Sequence, residues 1–437
     1  MNILWITNMP IGRLRELAGL SGENTSGSWL TAALPAFAGA NGLNLTVVTV
    51  GRVSSPQQIV EGNITYCLLP GGFPGEYVHT SPSNAKDWAY VKAQYRPDII
   101  HVWGTEFTHG FLALKVMSDI PAIIYMQGLL KAISRYYLAG MSRWELLRSI
   151  SLRDVLKGDW ITRTQKNYAS RALVEAEMIQ LAQHVIIENR WCATHCSHLG
   201  QDIVPHHCDL NIGEAFLATN WRSDSVRPHT VMSNAGGYPI KGLHMLIKAM
   251  KLVTRRFPEA KLFIPGDTSP FNLGSINWLR ENGYTRFIRT LITDSELEKS
   301  IVFLGPLSPE QIAQHMATIN AFVMPSSIEN HSSTLIEAMT VGAPCIAAYV
   351  GGIPEYVSHQ QNGLLYRFEE YEMLAEHICD LFSDPVYAAR LGAAASHSMR
   401  TSRSHGNVKE RLVEIYEKVL QGPGPNQIRT LPEVPGC

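Results

Sequence analysis

No window of about 18 apolar residues occurs in the 437-residue chain, which excludes an ordinary membrane-spanning helix. Charge of neither sign is in surplus. Lys and Arg number 37 against 38 Asp and Glu, a net charge of −1, so nothing in the balance recommends nucleic acid as a partner. Cysteine is scarce: seven residues, an odd number, lie scattered at Cys67, Cys192, Cys196, Cys208, Cys345, Cys379 and Cys437. That pattern fits reduced thiols rather than a disulfide framework. The first apolar run, in MNILWITNMPIGRLREL, has no basic residues before it and is too short for a signal core, so it reads as a strand and a cytoplasmic protein is expected. No Gly-x-Gly-x2-Gly turn follows it, which argues against a nicotinamide dehydrogenase. A Cys-x2-Cys knuckle is also absent. Cys192, His195, Cys196, His198, His206, His207 and Cys208 are metal ligands by type, but their spacing fits no common zinc pattern and no metal is assigned.

What is present is bulk and alternation. The length exceeds one typical core, and 45% hydrophobic residues can fill two. Short apolar runs alternate with helical spacing, the grammar of parallel α/β units. Strands are expected at 3–7, 45–50, 99–103, 122–126 and 184–188, and again at 230–234, 261–265, 301–304, 320–324 and 344–348. Two doubly wound parallel-sheet domains follow, at 1–205 and 227–405, with a polar linker at 206–226. A last helix is expected at 406–420. The tail 421–437, with Gly422, Pro423, Gly424 and Pro425, reads as disordered.

The most informative stretch is PSSIENHSSTLIEAMTVGAP, Pro325 to Pro344. A short apolar run precedes it and helical spacing begins near Thr334, so Ser332, Ser333 and Thr334 stand at a helix start. Unpaired N–H groups and partial positive charge there suit a phosphate or diphosphate. Glu329 and Glu337, eight positions apart, would repel that anion. They are better read as acceptors for the hydroxyls of a ribose and a sugar, as an acidic residue serves ribose in dinucleotide folds. An acid that merely complements the helix dipole is the plainer reading.

With Gly342-x-Pro344, Gly351, Gly352, Glu355 and Asn362-Gly363 in register after it, this stretch resembles the Glu-x7-Glu signature of retaining glycosyltransferases of family 4. The resemblance implies the GT-B fold, two Rossmann-like domains facing across a cleft, with the last helix returning to the first domain. It assigns the nucleotide ribose to Glu337 and the donor-sugar hydroxyls to Glu329. MSNAGGYPIKGLHMLIKAM, Met232 to Met250, is similar to the family's strand, loop and Lys-Gly helix start, so Lys241 would reach the donor diphosphate. A cation there stabilises charge that grows as the glycosidic bond breaks. Gly237 lies in that loop, where the family usually carries an arginine that this chain lacks. FLGPLSP places Leu307 near the nucleotide base.

In the first domain Gly27, within TSGSWL, resembles the family's glycine loop near the donor phosphates, although only one glycine of the usual pair is present. PDIIHVWGTEFTHG resembles the strand that ends in a polar loop under the cleft. Ligands bind beyond the carboxyl ends of parallel strands, so Glu106 and His109 are better candidates than His101. A capping acid and a solvated histidine are the alternative. Gln127 stands where the family's commonest pattern has histidine, and it cannot carry a proton at neutral pH. This departure fits a front-face reaction in which the departing phosphate takes the acceptor proton.

Between Lys131 and Lys166 basic residues interleave with Tyr136, Tyr137, Trp144 and Trp160. The mixture suits peripheral contact with the inner face of a membrane, or a lipid-linked phosphate acceptor. A solvated helical face with core aromatics is the other reading. Arg171 and Glu175, one turn apart, fit an i,i+4 ion pair.

The chain thus reads as a retaining glycosyltransferase moving a sugar from a nucleotide-diphosphate donor to a glycan, lipid-linked or other hydroxyl acceptor. Surface polysaccharide or glycoconjugate synthesis is the expected setting. Lys241, Glu329 and Gln127 are the candidate catalytic residues. Donor-binding candidates are Gly27, Gly237, Lys241, Leu307, Glu329, Ser332, Ser333, Thr334 and Glu337, and acceptor-binding candidates are Glu106 and Gln127. No cofactor or metal is required, since helix amides and lysine neutralise the diphosphate. A non-catalytic nucleotide-sugar-binding subunit and a GT-B-type epimerase are the alternatives. The first is favoured by Gln127 and the missing arginine; the second needs a carbon acid/base set that the chain does not show.

Overall fold

A computed structural model of the chain describes residues 1–20, 30, 33–73, 83–200, 202–266, 281–402 and 408–422. The chain forms two compact units. The first comprises residues 1–131, 167–211 and 405–437, and the second 132–166 and 212–404. The expected boundaries, 1–205 and 227–405, differ from this division chiefly at 132–166. That segment follows strands of the first unit in sequence but packs with the second, a long-range association that no local pattern reports. The tail beyond 422 lies outside the described residues.

The first unit is built on strands β1 (Asn2–Thr7), β2 (Asn44–Gly51), β3 (Gln57–Glu61), β4 (Ile64–Pro70), β5 (Ile99–Trp103), β6 (Ala122–Tyr125), β7 (His184–Ile187) and β8 (Val204–His207). Their order is β3-β4-β2-β1-β5-β6-β7-β8, all parallel except the β3–β4 hairpin. β1 reads NILWIT because a central parallel strand is covered on both faces and needs no alternation. β3 (QQIVE) is mostly exposed and β8 (VPHH) is half-buried, as sheet edges allow.

The second sheet contains β9 (Thr230–Met232), β10 (Lys261–Pro265), β11 (Ile301–Gly305), β12 (Ala321–Met324), β13 (Cys345–Ala348) and β14 (Leu364–Tyr366), in the parallel order β11-β10-β9-β12-β13-β14. All ten expected strands are present. β3, β4, β8 and β14 are additional. The β3–β4 turn carried a readable signal, since Gly62, at φ +60°, and Asn63 separate two runs of strand residues.

One cluster ties the C-terminal helix Val408–Gln421 to the first sheet. The hydroxyl of Tyr416 accepts from Trp5 Nε1 at 3.0 Å and lies 2.6 Å from His101 Nδ1. Burial pushes the His101 imidazole down to about 3, so Nδ1 is free to accept the hydroxyl proton. Trp103 stacks on His101 with centroids 4.1 Å apart. His101 is thus a core residue. The buried cysteines 67, 192, 196, 208, 345 and 379 are free, and no group of three or more metal-ligating side chains occurs among the described residues.

Tyr416→Phe removes one hydroxyl and strands two buried partners. The first unit should lose roughly 1–3 kcal/mol of stability, read as a lower urea midpoint at constant m. An unchanged midpoint would mean that the three groups are not coupled.

Candidate functional site

Each unit gathers polar side chains at the carboxyl ends of adjacent strands. In the second unit these are β9, β12 and β13. After β12 the chain runs through Pro325–Glu329, pinned at both ends by glycines with positive φ. A Cβ on Gly242 (φ +70°) would come within 1.7 Å of the Pro325 carbonyl oxygen, and one on Gly351 (φ +55°) within 1.7 Å of that of Glu329. Only glycine permits either approach. Ser327 N donates to Ile240 O at 2.8 Å and Gly352 N to Glu329 O at 3.1 Å, so the loop is held by backbone on both sides.

Glu329 projects from this loop with one oxygen engaged twice. Oε1 accepts from Lys241 Nζ at 2.6 Å and from Ser326 Oγ at 2.7 Å. Lys241 closes the short 3-10 turn Pro239–Lys241 ahead of the helix Leu243–Arg256. The carboxylate is 10% exposed and the lysine 29%, so this pair is screened less than a surface salt bridge. Ser326 and its role were missed in sequence, where Pro-Ser-Ser reads only as loop chemistry.

The helix Ser333–Val341 begins four residues beyond Glu329, with Ser332 as N-cap, its Oγ accepting from Leu335 N at 3.4 Å. Thr334 Oγ1 accepts from Asn234 Nδ2 at 3.1 Å, which brings in a residue just past β9 that sequence reasoning did not name. Ser333 and Thr334 are half-buried, Gly237 lies half-buried in the loop after β9, and Leu307 sits half-buried between β11 and the helix Pro309–Met316. Glu337, one turn into the helix, is partly open to solvent. No described residue donates a hydrogen bond to it, and burial pushes its carboxyl up to about 8. A half-buried carboxyl with no partner among the described residues is open to a ligand hydroxyl.

The first unit converges on Gly104, at φ +95° beyond β5. A Cβ there would lie 2.1 Å from Glu106 Oε2, 2.6 Å from Asn8 Nδ2 and 3.1 Å from Gln127 Cδ. These side chains follow β5, β1 and β6, neighbouring strands, at the end where open α/β sheets bind ligands. Asn8 Nδ2 donates to Glu106 Oε2 at 2.6 Å, and Gln127 Nε2 to Trp103 O at 3.0 Å. Burial pushes Glu106 up to about 7 against the pull of Arg171 and Asn8. Asn8 was missed in sequence because nothing at the end of β1 marks it until Glu106 is brought alongside.

His109 is buried, with Nε2 3.1 Å from Thr7 O and its imidazole pushed by burial down to about 4, so it is a neutral structural residue rather than a solvated one. The expected Arg171–Glu175 ion pair is not made. Arg171 donates to the Glu106 carbonyl, while buried Glu175 accepts from Thr105 Oγ1 at 2.7 Å and Leu130 N at 3.1 Å. Each finds a longer-range partner that helix spacing cannot show. Gly27 lies outside the described residues.

Residues 227–398 match the family model "Glycosyl transferases group 1". Among curated relatives, a GDP-mannose-dependent monoacylated α-(1-6)-phosphatidylinositol monomannoside mannosyltransferase of Corynebacterium glutamicum is 29% identical over 194 residues, 43% of this chain and 46% of that protein. A D-inositol 3-phosphate glycosyltransferase of Pseudarthrobacter chlorophenolicus is 28% identical over 208 residues, 46% of this chain and 47% of that protein. The matched region thus spans about half the length of these relatives. Among solved structures, sucrose-phosphate synthase of Thermosynechococcus elongatus superposes with TM-score 0.72 at 18% identity, covering 97% of this chain and all of that one. Anabaena HepE in complex with UDP-glucose gives 0.60 at 18% identity, covering 95% of this chain and 98% of that one. The expected GT-B fold is the fold of these structures.

Glu337 carries a pH signature. Its folded carboxyl titrates near 8 against 4.5 for an ordinary glutamate, so ionising it is harder in the folded protein. Its stability contribution is full below the ordinary value and is lost as pH rises towards the folded one. Relative to Glu337→Gln, the native protein should therefore lose stability progressively across that interval, by ~1 kcal/mol or more. Urea unfolding at several pH values checks this. Parallel curves for the two proteins would show Glu337 ionised in the fold.

Proposed function

We propose that the chain, whose residues 227–398 match the glycosyl transferases group 1 model, transfers a sugar from a nucleoside-diphosphate donor to a hydroxyl acceptor with retention of configuration. The observation that carries this is the preset pair of carboxyls at one helix start, Glu329 on Lys241 at 2.6 Å and Glu337 with no described partner. The diphosphate lies against the amides of Ser332, Ser333 and Thr334 and within reach of Lys241. Glu337 accepts from the ribose and Glu329 from the donor sugar, with Gly237 and Leu307 beside the phosphates and base and Gly27 as a further phosphate contact.

In the reaction the bond from the anomeric carbon to the diphosphate oxygen breaks and a bond to the acceptor oxygen forms on the same face. The departing phosphate oxygen takes the acceptor proton, so no protein base is needed and Gln127 suffices as a hydrogen-bonding residue. Lys241 offsets the charge that develops on the diphosphate. No metal or other cofactor is required. Asn8, Glu106 and Gln127 hold the acceptor, a glycan or lipid-linked hydroxyl. The setting is assembly of a surface polysaccharide or related glycoconjugate, in the cytoplasm or peripherally on the inner face of a membrane. No described helix is long and apolar enough to cross one.

A panel of nucleotide sugars, scored by thermal shift and then by nucleoside-diphosphate release, tests this reading. One donor should raise the melting temperature of the native protein and not of Glu337→Ala. Lys241→Ala should bind the donor and lower kcat about 10²–10³-fold, the scale seen when a preorganised stabilising group is removed. The absence of a shift with every donor would sink the transferase assignment. Because ribose hydroxyls favour ionised Glu337, donor affinity should also rise with pH towards about 8, a trend absent from Glu337→Gln.

A further inference from the structure

Residues 132–166 belong with the second unit, and two of their helices expose large apolar side chains beside basic ones while turning acidic ones inward. The short helices Arg143–Arg148 and Leu152–Lys157 turn polar groups inward. Glu145 accepts from Lys248 Nζ at 2.7 Å on the helix Leu243–Arg256. The Ser149 carbonyl sits so close to the helix Gly283–Asp294 that a Cβ on Gly283 would come within 1.4 Å of it. Asp154 is buried, accepting from Ser151 N at 3.2 Å and Arg153 Nη1 at 3.2 Å.

Positions three and four apart share a helix face. The outward faces are therefore Trp144 with Leu147, and Leu152 with Val155 and Leu156. These side chains are exposed by 76%, 60%, 51%, 59% and 77% of their surface. A solvent-facing helix normally shows the opposite pattern, and apolar surface gathered this densely marks an interaction site.

Charge selects the occupant. Residues 131–166 hold eight basic and three acidic side chains in a chain of net charge −1. The acids are already engaged: Glu145 by Lys248, Asp154 by Arg153 and Asp159 at 3.9 Å from the same arginine. Arg135, Arg143 and Lys157 are exposed and join no ion pair with any described residue. A second copy docking through a two-fold axis would set these cations against their own counterparts. An anionic bilayer takes both features, with cations at headgroup phosphates and apolar side chains at the acyl boundary, where tryptophan is favoured.

We propose that the helices Arg143–Arg148 and Leu152–Lys157 form a docking surface for anionic phospholipid, carried by the unit that contains Glu329 and Glu337. Each helix has six residues, so it lies in the interface and does not cross. The inference deepens the membrane setting given above, but it rests on the packing of 132–166 and can fail or hold independently of sugar transfer.

Flotation of the full-length protein with vesicles of phosphatidylcholine, alone or mixed with phosphatidylglycerol, tests it. The native protein should float with the mixed vesicles, less with phosphatidylcholine alone, and less as salt rises. Trp144→Glu/Leu156→Glu should weaken binding at least about tenfold, and Arg143→Glu/Lys157→Glu should remove the preference for anionic lipid. Both variants should keep the native melting temperature, since these sites are exposed, and the native response to nucleotide sugars. Native protein left in the soluble fraction, or variants that float unchanged, would overturn the proposal. So would a native dimer that Trp144→Glu/Leu156→Glu dissolves, which would make a second copy the occupant.

Discussion

The second unit depends on the passage of one loop between two glycines. Gly242 and Gly351 let backbone approach where a single methyl would overlap a carbonyl oxygen, at 1.7 Å in both cases. That contact sets the height of Pro325–Glu329 above the sheet, and with it the direction of the Glu329 side chain. Ser326 and Lys241 then hold the carboxylate at one oxygen. The orientation of Glu329 is therefore fixed by the protein's own backbone and side chains. Ser327 extends the same constraint to the inserted segment, donating to the Tyr136 carbonyl at 3.0 Å.

The first unit solves the same problem with one glycine. At Gly104 the missing side chain leaves a hollow that Glu106, Asn8 and Gln127 fill from three strands. Both units place their carboxyls where burial is the leading influence, so Glu106 near 7, Glu175 near 7 and Glu337 near 8 all hold protons more tightly than free glutamate. Glu175 shows that such a shift does not by itself mark a site. Its oxygens are used by Thr105 Oγ1 and by the Leu130 and Lys131 amides, which makes it a structural bracket.

Much of this was legible in the chain. Nine of the ten expected strands are interior and declared themselves because a strand covered on both faces is apolar throughout; β11 is an edge strand with an apolar run, and the interior β4 was not expected although its run is apolar as well. The Glu329–Glu337 spacing, with serine and threonine between, announced a helix start with two acids around it. Partners supplied by distant segments were not legible. Ser326 reads as loop, Asn234 and Asn8 as ordinary strand ends, and Arg171 with Glu175 as a helical pair, because each acquires its contact through the fold. The edge strands β3 and β8 were hidden by their polarity, and β14 by its three residues. The segment 132–166 was legible in composition but not in allegiance. Its aromatics and cations could be counted, whereas the inward turn of Glu145 and Asp154 depends on helices more than ninety positions away.

The hydroxyl of Tyr416 meets Trp5 across 411 positions of chain. During synthesis, β1 must therefore wait for a further 411 positions before its indole and the His101 imidazole receive their partner. The second unit, complete by residue 404, has all its own contacts by then. Order of emergence favours the unit carrying the two glutamates as the earlier to settle, with the unit carrying Gly104 closed last by its final helix.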